Sequence, residues 1–346
     1  MPLSMYRILC PCAINPIAQN DGAAGMKTLS NEQMDFFRRE GYLMVPDVFD
    51  REDLTPLRDE LTGVIDSKAR ALVDEGKLSR PYEEEPFERR LTSVWNECPE
   101  IMEPLTGKGG GGYSGAELFH VITHRKLLAY IEDFVGPEIV GSSVYRIRPK
   151  IPLMDRGVVP WHQDSGYFEP HCDRDLIVTV WMPLVDATPE NGCLQVLPRA
   201  HEGGVYRHWT NGPNGYLAIA DEDLPPTSEP VTVPVPLGGV LFMGNCTPHC
   251  STPNTSDVVR WSLDLRYQNA GVPNNVGEMP EDFTRERPTQ EIACYPPEAD
   301  FVVQSPSAPE RTVRDPALFD QIRQRYEHTR PQGPQRGWGD YAERSA

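Results

Sequence analysis

The chain has 346 residues, 39% hydrophobic and 24% charged, with 33 basic against 51 acidic side chains and a formal net charge of −18. Such a charge repels nucleic-acid backbones and anionic membrane surfaces at long range, so the expected partner is a small-molecule substrate, with no nucleic acid and no membrane. No stretch of 18 apolar residues occurs, which excludes a membrane-spanning helix. Thirty-five prolines, about twice average usage, with 28 glycines argue for many short elements joined by turns rather than a helical bundle. The eight cysteines are scattered, so reduced thiols in a cytoplasmic setting are expected rather than a disulfide scaffold.

Residues 1–25 are expected to be a disordered extension. Pro11 and Pro16 break their apolar run and Asp21 stands where a small-residue cleavage site would be, so a signal peptide is not indicated and Met26 is an alternative start. Residues 26–305 read as one composite domain. From Leu29 the pattern is helical, with Ser30 as cap, Gln33 completing a capping box, and Gly41 as the stop. A short strand over 42–45 follows. Leu54, Leu57, Leu61, Val64 and Ile65 then recur at helical spacing and lead into the charged stretch 68–85. The glycine run 108–112 reads as a loop. Leu127, Leu128, Ile131 and Phe134 before Gly136 and Pro137 make another amphipathic helix.

After residue 139 the period changes to two. Strands are expected over 143–148, 158–162, 176–182, 192–197, 231–235, 240–243 and 258–267, separated by Pro, Gly or Asn clusters. Short strands at this spacing, without helices between them, predict an α+β fold. Its core is a double-stranded β-helix, a jelly-roll or cupin-like barrel, with the N-terminal helices packed outside. Residues 306–346 revert to charged, proline-rich sequence and read as an extension with one helix over 316–326.

The most informative segment is Trp161-His162-Gln163-Asp164. Residues two apart on a strand share a face, so His162 and Asp164 can offer an imidazole and a carboxylate to one cation. His171 and Asp173 repeat the spacing but lie among Pro170, Arg174 and Asp175, which reads as a solvated loop. Among the other histidines His249 stands out, because it follows the apolar strand 240–243 at a strand-to-loop junction. Eleven residues after it, Arg260 opens a strand on which Arg260, Ser262, Asp264 and Arg266 share one face. That face is either solvated or a carboxylate clamp, a guanidinium fork with a hydroxyl beside it. Three other readings remain open: a structural zinc site using Cys246, His249, Cys250 and Cys193; a metal-dependent hydrolase or isomerase on a cupin-like barrel; and a non-catalytic binding jelly roll.

Together, His162-Gln163-Asp164, His249, Arg260 and Ser262 resemble the phytanoyl-CoA dioxygenase family of non-haem iron(II), 2-oxoglutarate-dependent oxygenases. So do Leu29 to Gln33 with Gly41-Tyr42-Leu43, Thr179-Val180-Trp181, and Asn191-Gly192-Cys193-Leu194 with His201, so that the likeness spans roughly 29–268. The resemblance implies that His162, Asp164 and His249 ligate Fe(II), that Arg260 and Ser262 hold the distal carboxylate of 2-oxoglutarate, and that Gln163, Trp181 and Thr179 contact the co-substrate. It also implies O2 consumption, release of succinate and CO2, and hydroxylation of an unactivated C–H bond, since the related halogenases lack the carboxylate that Asp164 supplies. For the substrate, Arg146, Arg148 and Lys150 on one strand face could receive an anion, Arg266 likewise, and Tyr167 with Phe168 could wall the pocket.

Overall fold

The structure is a computed structural model that describes residues 28–106, 113–142, 145–154, 157–168, 170–226, 229–271, 300–329 and 336–345. The expected N-terminal extension, the glycine run and the alternative start at Met26 lie outside these residues. Helix α1 (Asn31–Glu40) is capped as its sequence requires. The Ser30 hydroxyl accepts from the Gln33 N–H, the Gln33 side chain returns the bond, and Gly41 closes the helix at φ 84°. Strand β1 (Tyr42–Val45) follows, then α2 (Arg51–Asp74), α3 (Phe87–Glu97), α4 (Glu103–Thr106), α5 (Ala116–Ile122) and α6 (Arg125–Val135). Helix α2 runs into the charged stretch, as its spacing predicts, and ends within it at Asp74.

The remaining strands are β2 (Ile139–Ser142), β3 (Arg146–Lys150), β4 (Ile177–Pro183), β5 (Leu194–Val196), β6 (Val231–Val233), β7 (Val240–Gly244), β8 (His249–Ser251), β9 (Arg260–Asn269) and β10 (Asp300–Gln304). They form two antiparallel sheets. The larger has the order β1-β7-β4-β9-β2-β10, with β3 also paired to β9; the smaller has the order β6-β5-β8. This is the jelly roll with outer helices that the strand spacing predicts.

Strand alternation sorts the side chains. Val178, Val180 and Met182 of β4 and Trp261, Leu263 and Leu265 of β9 join the large core beneath the helices, with residues such as Leu57, Leu61, Ile131 and Phe134. The opposite faces look into the barrel, where Trp181, Leu194, Val233, Leu241 and Met243 form a smaller apolar cluster between the sheets. Residues 158–162 do not form the expected strand: they contribute a single bridge, His162 to His249. Pro160, lacking an N–H, cannot continue a ladder there. The C-terminal residues are integrated with the body. Strand β10 pairs with β2, and α7 (Pro316–Thr329) packs on α5 and puts Phe319 against Phe119.

Candidate metal centre

His162 and His249 face each other across their bridge, each backbone N–H donating to the other's carbonyl at 3.0 and 2.9 Å, with ring centroids 4.2 Å apart. Each ring also meets a carbonyl two residues earlier, Nδ1 of His162 at 2.9 Å from Pro160 O and Nδ1 of His249 at 3.0 Å from Thr247 O. A carbonyl can only accept, so Nδ1 carries the proton and Nε2 keeps its lone pair, the tautomer a metal requires. Asp164 starts a short 3-10 turn, Asp164–Gly166, so it reaches the site from a turn and not from a strand. The Thr179 hydroxyl donates to its Oδ2 and the Arg266 guanidinium to its Oδ1, which leaves each oxygen a further lone pair. One ligand atom from each of His162, Asp164 and His249 lies within 4.8 Å of the others, and among the described residues no other group of His, Cys, Asp and Glu does so.

Burial lowers the His162 pKa well below 6.5, and the neighbouring His249 pushes the same way. For Asp164 burial acts upward, but Arg266, then His249, more than offset it and hold the carboxyl well below its ordinary value. Neutral imidazoles and an ionised carboxylate are the states in which these groups bind a divalent cation. Two imidazoles and one carboxylate, with no fourth His, Cys, Asp or Glu beside them among the described residues, match a site that keeps open positions rather than a closed structural one. The cysteines do not offer the alternative. Cys250 Sγ lies against Gln195 Oε1 and Cys246 Sγ against Ser165 Oγ, each at 3.7 Å, and burial pushes the Cys250 thiol up to about 12.

The polar face of β9 is not solvated. Arg260, Ser262, Asp264 and Arg266 are all buried, and a cavity beside the triad is lined by Arg260, Asp264 and Arg266 with Arg148, Thr179 and Trp181. Within it Arg266 pairs with Asp164, and Arg148 pairs with Asp264. Among the described residues Arg260 has no carboxylate partner. Its Nη1 donates to Ser262 Oγ at 2.6 Å, its Cζ sits 5.1 Å from the Trp181 ring centroid, and its Nε has no partner. Burial pulls its pKa down to about 10, against the opposing pull of Asp264. A guanidinium 2% exposed and without a counter-charge is costly unless an anion completes it.

Other expected site residues lie elsewhere. Gln163 turns from the cavity, its amide donating to the carbonyls of Gly204 (2.7 Å) and Cys246 (2.6 Å) and accepting from Tyr206 N–H (2.7 Å). Thr179 lines the cavity but spends its hydroxyl on Asp164. Arg146 donates to its neighbour's carbonyl at 2.8 Å and is not on the cavity wall. Tyr167 is 43% exposed with its ring 6.0 Å from that of His162. Asp173 is held by Arg336, and the His171 side chain lies outside the described residues. One buried group, His208, was not singled out as a site residue, and Lys150, named only with the basic stripe of its strand, proves to be sealed inside. His208 Nε2 accepts from the Gln163 N–H at 3.0 Å and so supports the ligand segment. Lys150, opposite Arg260 in the β3–β9 register, donates to Ser251 Oγ at 2.8 Å and to Thr252 O, and burial, then Arg260, brings its pKa down to about 6. The period-two stripe Arg146, Arg148, Lys150 is the signal that marks Lys150; it does not tell which member is sealed inside.

The family profile for phytanoyl-CoA dioxygenase matches residues 37–262. The peroxisomal phytanoyl-CoA dioxygenase of Homo sapiens is 26% identical over 250 residues, covering 70% of this chain and 69% of that protein. The phytanoyl-CoA dioxygenase domain-containing protein 1 of Danio rerio is 26% identical over 267 residues, 68% of this chain and 88% of that one. Among solved structures, the apo form of the non-heme monooxygenase ThoJ has the same fold, with a TM-score of 0.51 at 19% identity, covering 85% of this chain and 97% of the other.

Proposed function

The chain belongs to the phytanoyl-CoA dioxygenase family of iron(II)- and 2-oxoglutarate-dependent oxygenases, and on that premise we propose that it hydroxylates an unactivated C–H bond of a small molecule, releasing succinate and CO2. The observation that carries the proposal is the unpaired, buried Arg260 on the same cavity as the His162, Asp164 and His249 cluster. A metal hydrolase would need the cluster alone; a cluster beside an unsatisfied guanidinium calls for a co-substrate that is itself an anion.

In this reading His162, Asp164 and His249 hold the iron. Iron(II), when bound, supplies the activation of dioxygen that is coupled to decarboxylation of 2-oxoglutarate. Thr179 and Arg266 fix the Asp164 carboxylate and keep it ionised, and the carbonyls of Pro160 and Thr247 fix the two imidazole tautomers. Arg260 and Ser262 receive the distal carboxylate of 2-oxoglutarate, the Trp181 ring restraining the guanidinium from one side. Leu194, Met243 and Val159 complete the cavity wall and limit water around the reacting atoms.

Anaerobic titration tests this. The protein should bind about one iron(II) per chain, and adding 2-oxoglutarate should produce a weak visible charge-transfer band, followed on admission of air by succinate. A tightly held stoichiometric zinc with no such band would overturn the reading.

A further inference from the structure

Every cation on the wall of the metal cavity except Arg260 already has an acid. Arg148 is paired with Asp264 and Arg266 with Asp164, and Arg146 does not line the cavity. If Arg260 takes the co-substrate carboxylate, as the proposed function holds, no free cation among the described residues of that wall is left to receive a charged substrate. Lys150 does not change this, because it lies behind Ser251, is 2% exposed, and already donates to Ser251 Oγ and the Thr252 carbonyl.

Next to the cavity is a groove with a different character. Val159, Cys250 and Ser251 line both spaces, so the groove shares a wall with the metal site. Val158, Pro160, Trp161, Ala218, Ile219 and Tyr341 supply most of the rest of its apolar lining. The side chain that carries charge in this lining is Asp221, on the exposed turn Asp221–Asp223, where Glu222 and Asp223 follow. An acid at the groove and a chain charge of −18 both disfavour an anion.

We infer that the substrate is an uncharged molecule whose apolar body lies in this groove, and that Tyr341, from the C-terminal segment, is a specificity-determining wall residue. This rests on the oxygenase reading for the direction in which the substrate points, toward His162 and His249. It replaces the expectation that Arg146, Arg148 or Arg266 anchors an anionic group.

A matched pair of fluorescent probes tests it without knowledge of the natural substrate. N-phenyl-1-naphthylamine is neutral, and 8-anilinonaphthalene-1-sulfonate has the same aromatic body with an added sulfonate. With the full chain, zinc as a redox-inert ion and 2-oxoglutarate, the neutral probe should bind saturably and the sulfonate about tenfold more weakly or worse, since it would bury a charge with no partner. Val158→Asp and Tyr341→Asp should each weaken the neutral probe by about tenfold or more while the 2-oxoglutarate affinity, titrated separately, stays at the parent value. Absence of neutral-probe binding, equal or tighter binding of the sulfonate, or neutral-probe affinity unchanged in both variants would overturn the inference. Failure of 2-oxoglutarate to bind the parent protein would overturn the oxygenase reading instead, and the probe titrations would still decide the groove.

Discussion

Arg260 carries the sharpest consequence of any single residue, because its guanidinium is buried without an acid while its two neighbours on the face, Arg266 and Arg148, are neutralised from within. Replacing it should separate co-substrate binding from metal binding. Arg260→Ala should raise the apparent dissociation constant for 2-oxoglutarate by roughly 30-fold or more, the ~2–5 kcal/mol that loss of one partner of a buried charge pair costs. Arg260→Lys should fall between, since it keeps the charge and loses the fork. Iron content should be unchanged in both, because Arg260 donates to Ser262 and touches none of the three ligands. The check is a titration of each purified variant at saturating iron; unchanged affinity in Arg260→Ala would place the co-substrate anchor elsewhere. The site was legible in sequence where residue type and local geometry coincide, as with His162 and Asp164, whose spacing survives although a turn and not a strand delivers Asp164. It was not legible where a side chain had a choice of partners. Gln163, between two ligands, spends its amide on three backbone groups brought in from residues 204–206 and 246, and nothing local announces that.

At the scale of elements, β9 shows what periodicity can and cannot say. Alternation divides Arg260, Ser262, Asp264 and Arg266 from Trp261, Leu263 and Leu265, and the structure keeps that division. Only the pairing of β9 between β4 on one side and β2 with β3 on the other shows that the polar face points inward. Strands β8 and β10, of three and five residues, and helix α5, of seven, escaped because they are short and take their order from tertiary contacts rather than from their own pattern. One junction carries a direct prediction. Gly41 ends α1 with φ 84°, and a Cβ there would lie 2.4 Å from His201 Nδ1 and 2.9 Å from Thr247 Oγ1. Its carbonyl accepts from the Thr247 hydroxyl at 2.6 Å, and the Thr247 carbonyl in turn orients His249. Gly41→Ala therefore combines left-handed backbone strain of about 1–2 kcal/mol with an overpacking cost of about 1–3 kcal/mol. It should lower the thermal midpoint by several degrees and weaken iron retention, whereas the exposed Gly76→Ala, also at positive φ but with open space around its Cβ, should show only the strain. Equal losses in the two variants would mean that the contact with His201 and Thr247 is not what makes Gly41 necessary.

Across the whole molecule, the C-terminal residues behave as part of the site although the family match ends at residue 262. Trp338 Nε1 donates to the Gly166 carbonyl at 2.8 Å, and Arg336 donates to the Phe168 carbonyl at 2.7 Å and pairs with Asp173, so both hold the segment that begins with the ligand Asp164. Thr210 exchanges backbone bonds with Gly339 and Tyr341, Asn211 donates to Asp340 at 2.6 Å, and the Trp338 ring lies 5.4 Å from that of His208, which accepts from Gln163. None of these bonds belongs to either sheet, so removing them should loosen the ligand segment and leave the barrel intact. A chain ending at Thr329 should keep its far-ultraviolet spectrum and the hydrogen-exchange protection of β4 and β9. Protection should fall over residues 164–174 and 208–212, because local opening is governed by the bonds a segment itself makes. Iron affinity should drop in the same variant, and Trp338→Ala should reproduce a part of both effects, since it removes one bond to Gly166 and the packing on His208. If exchange over 164–174 is as slow in the truncated chain as in the full one, the barrel alone orders the ligand segment, and Tyr341 then reaches the groove as a passive neighbour rather than as the end of a brace.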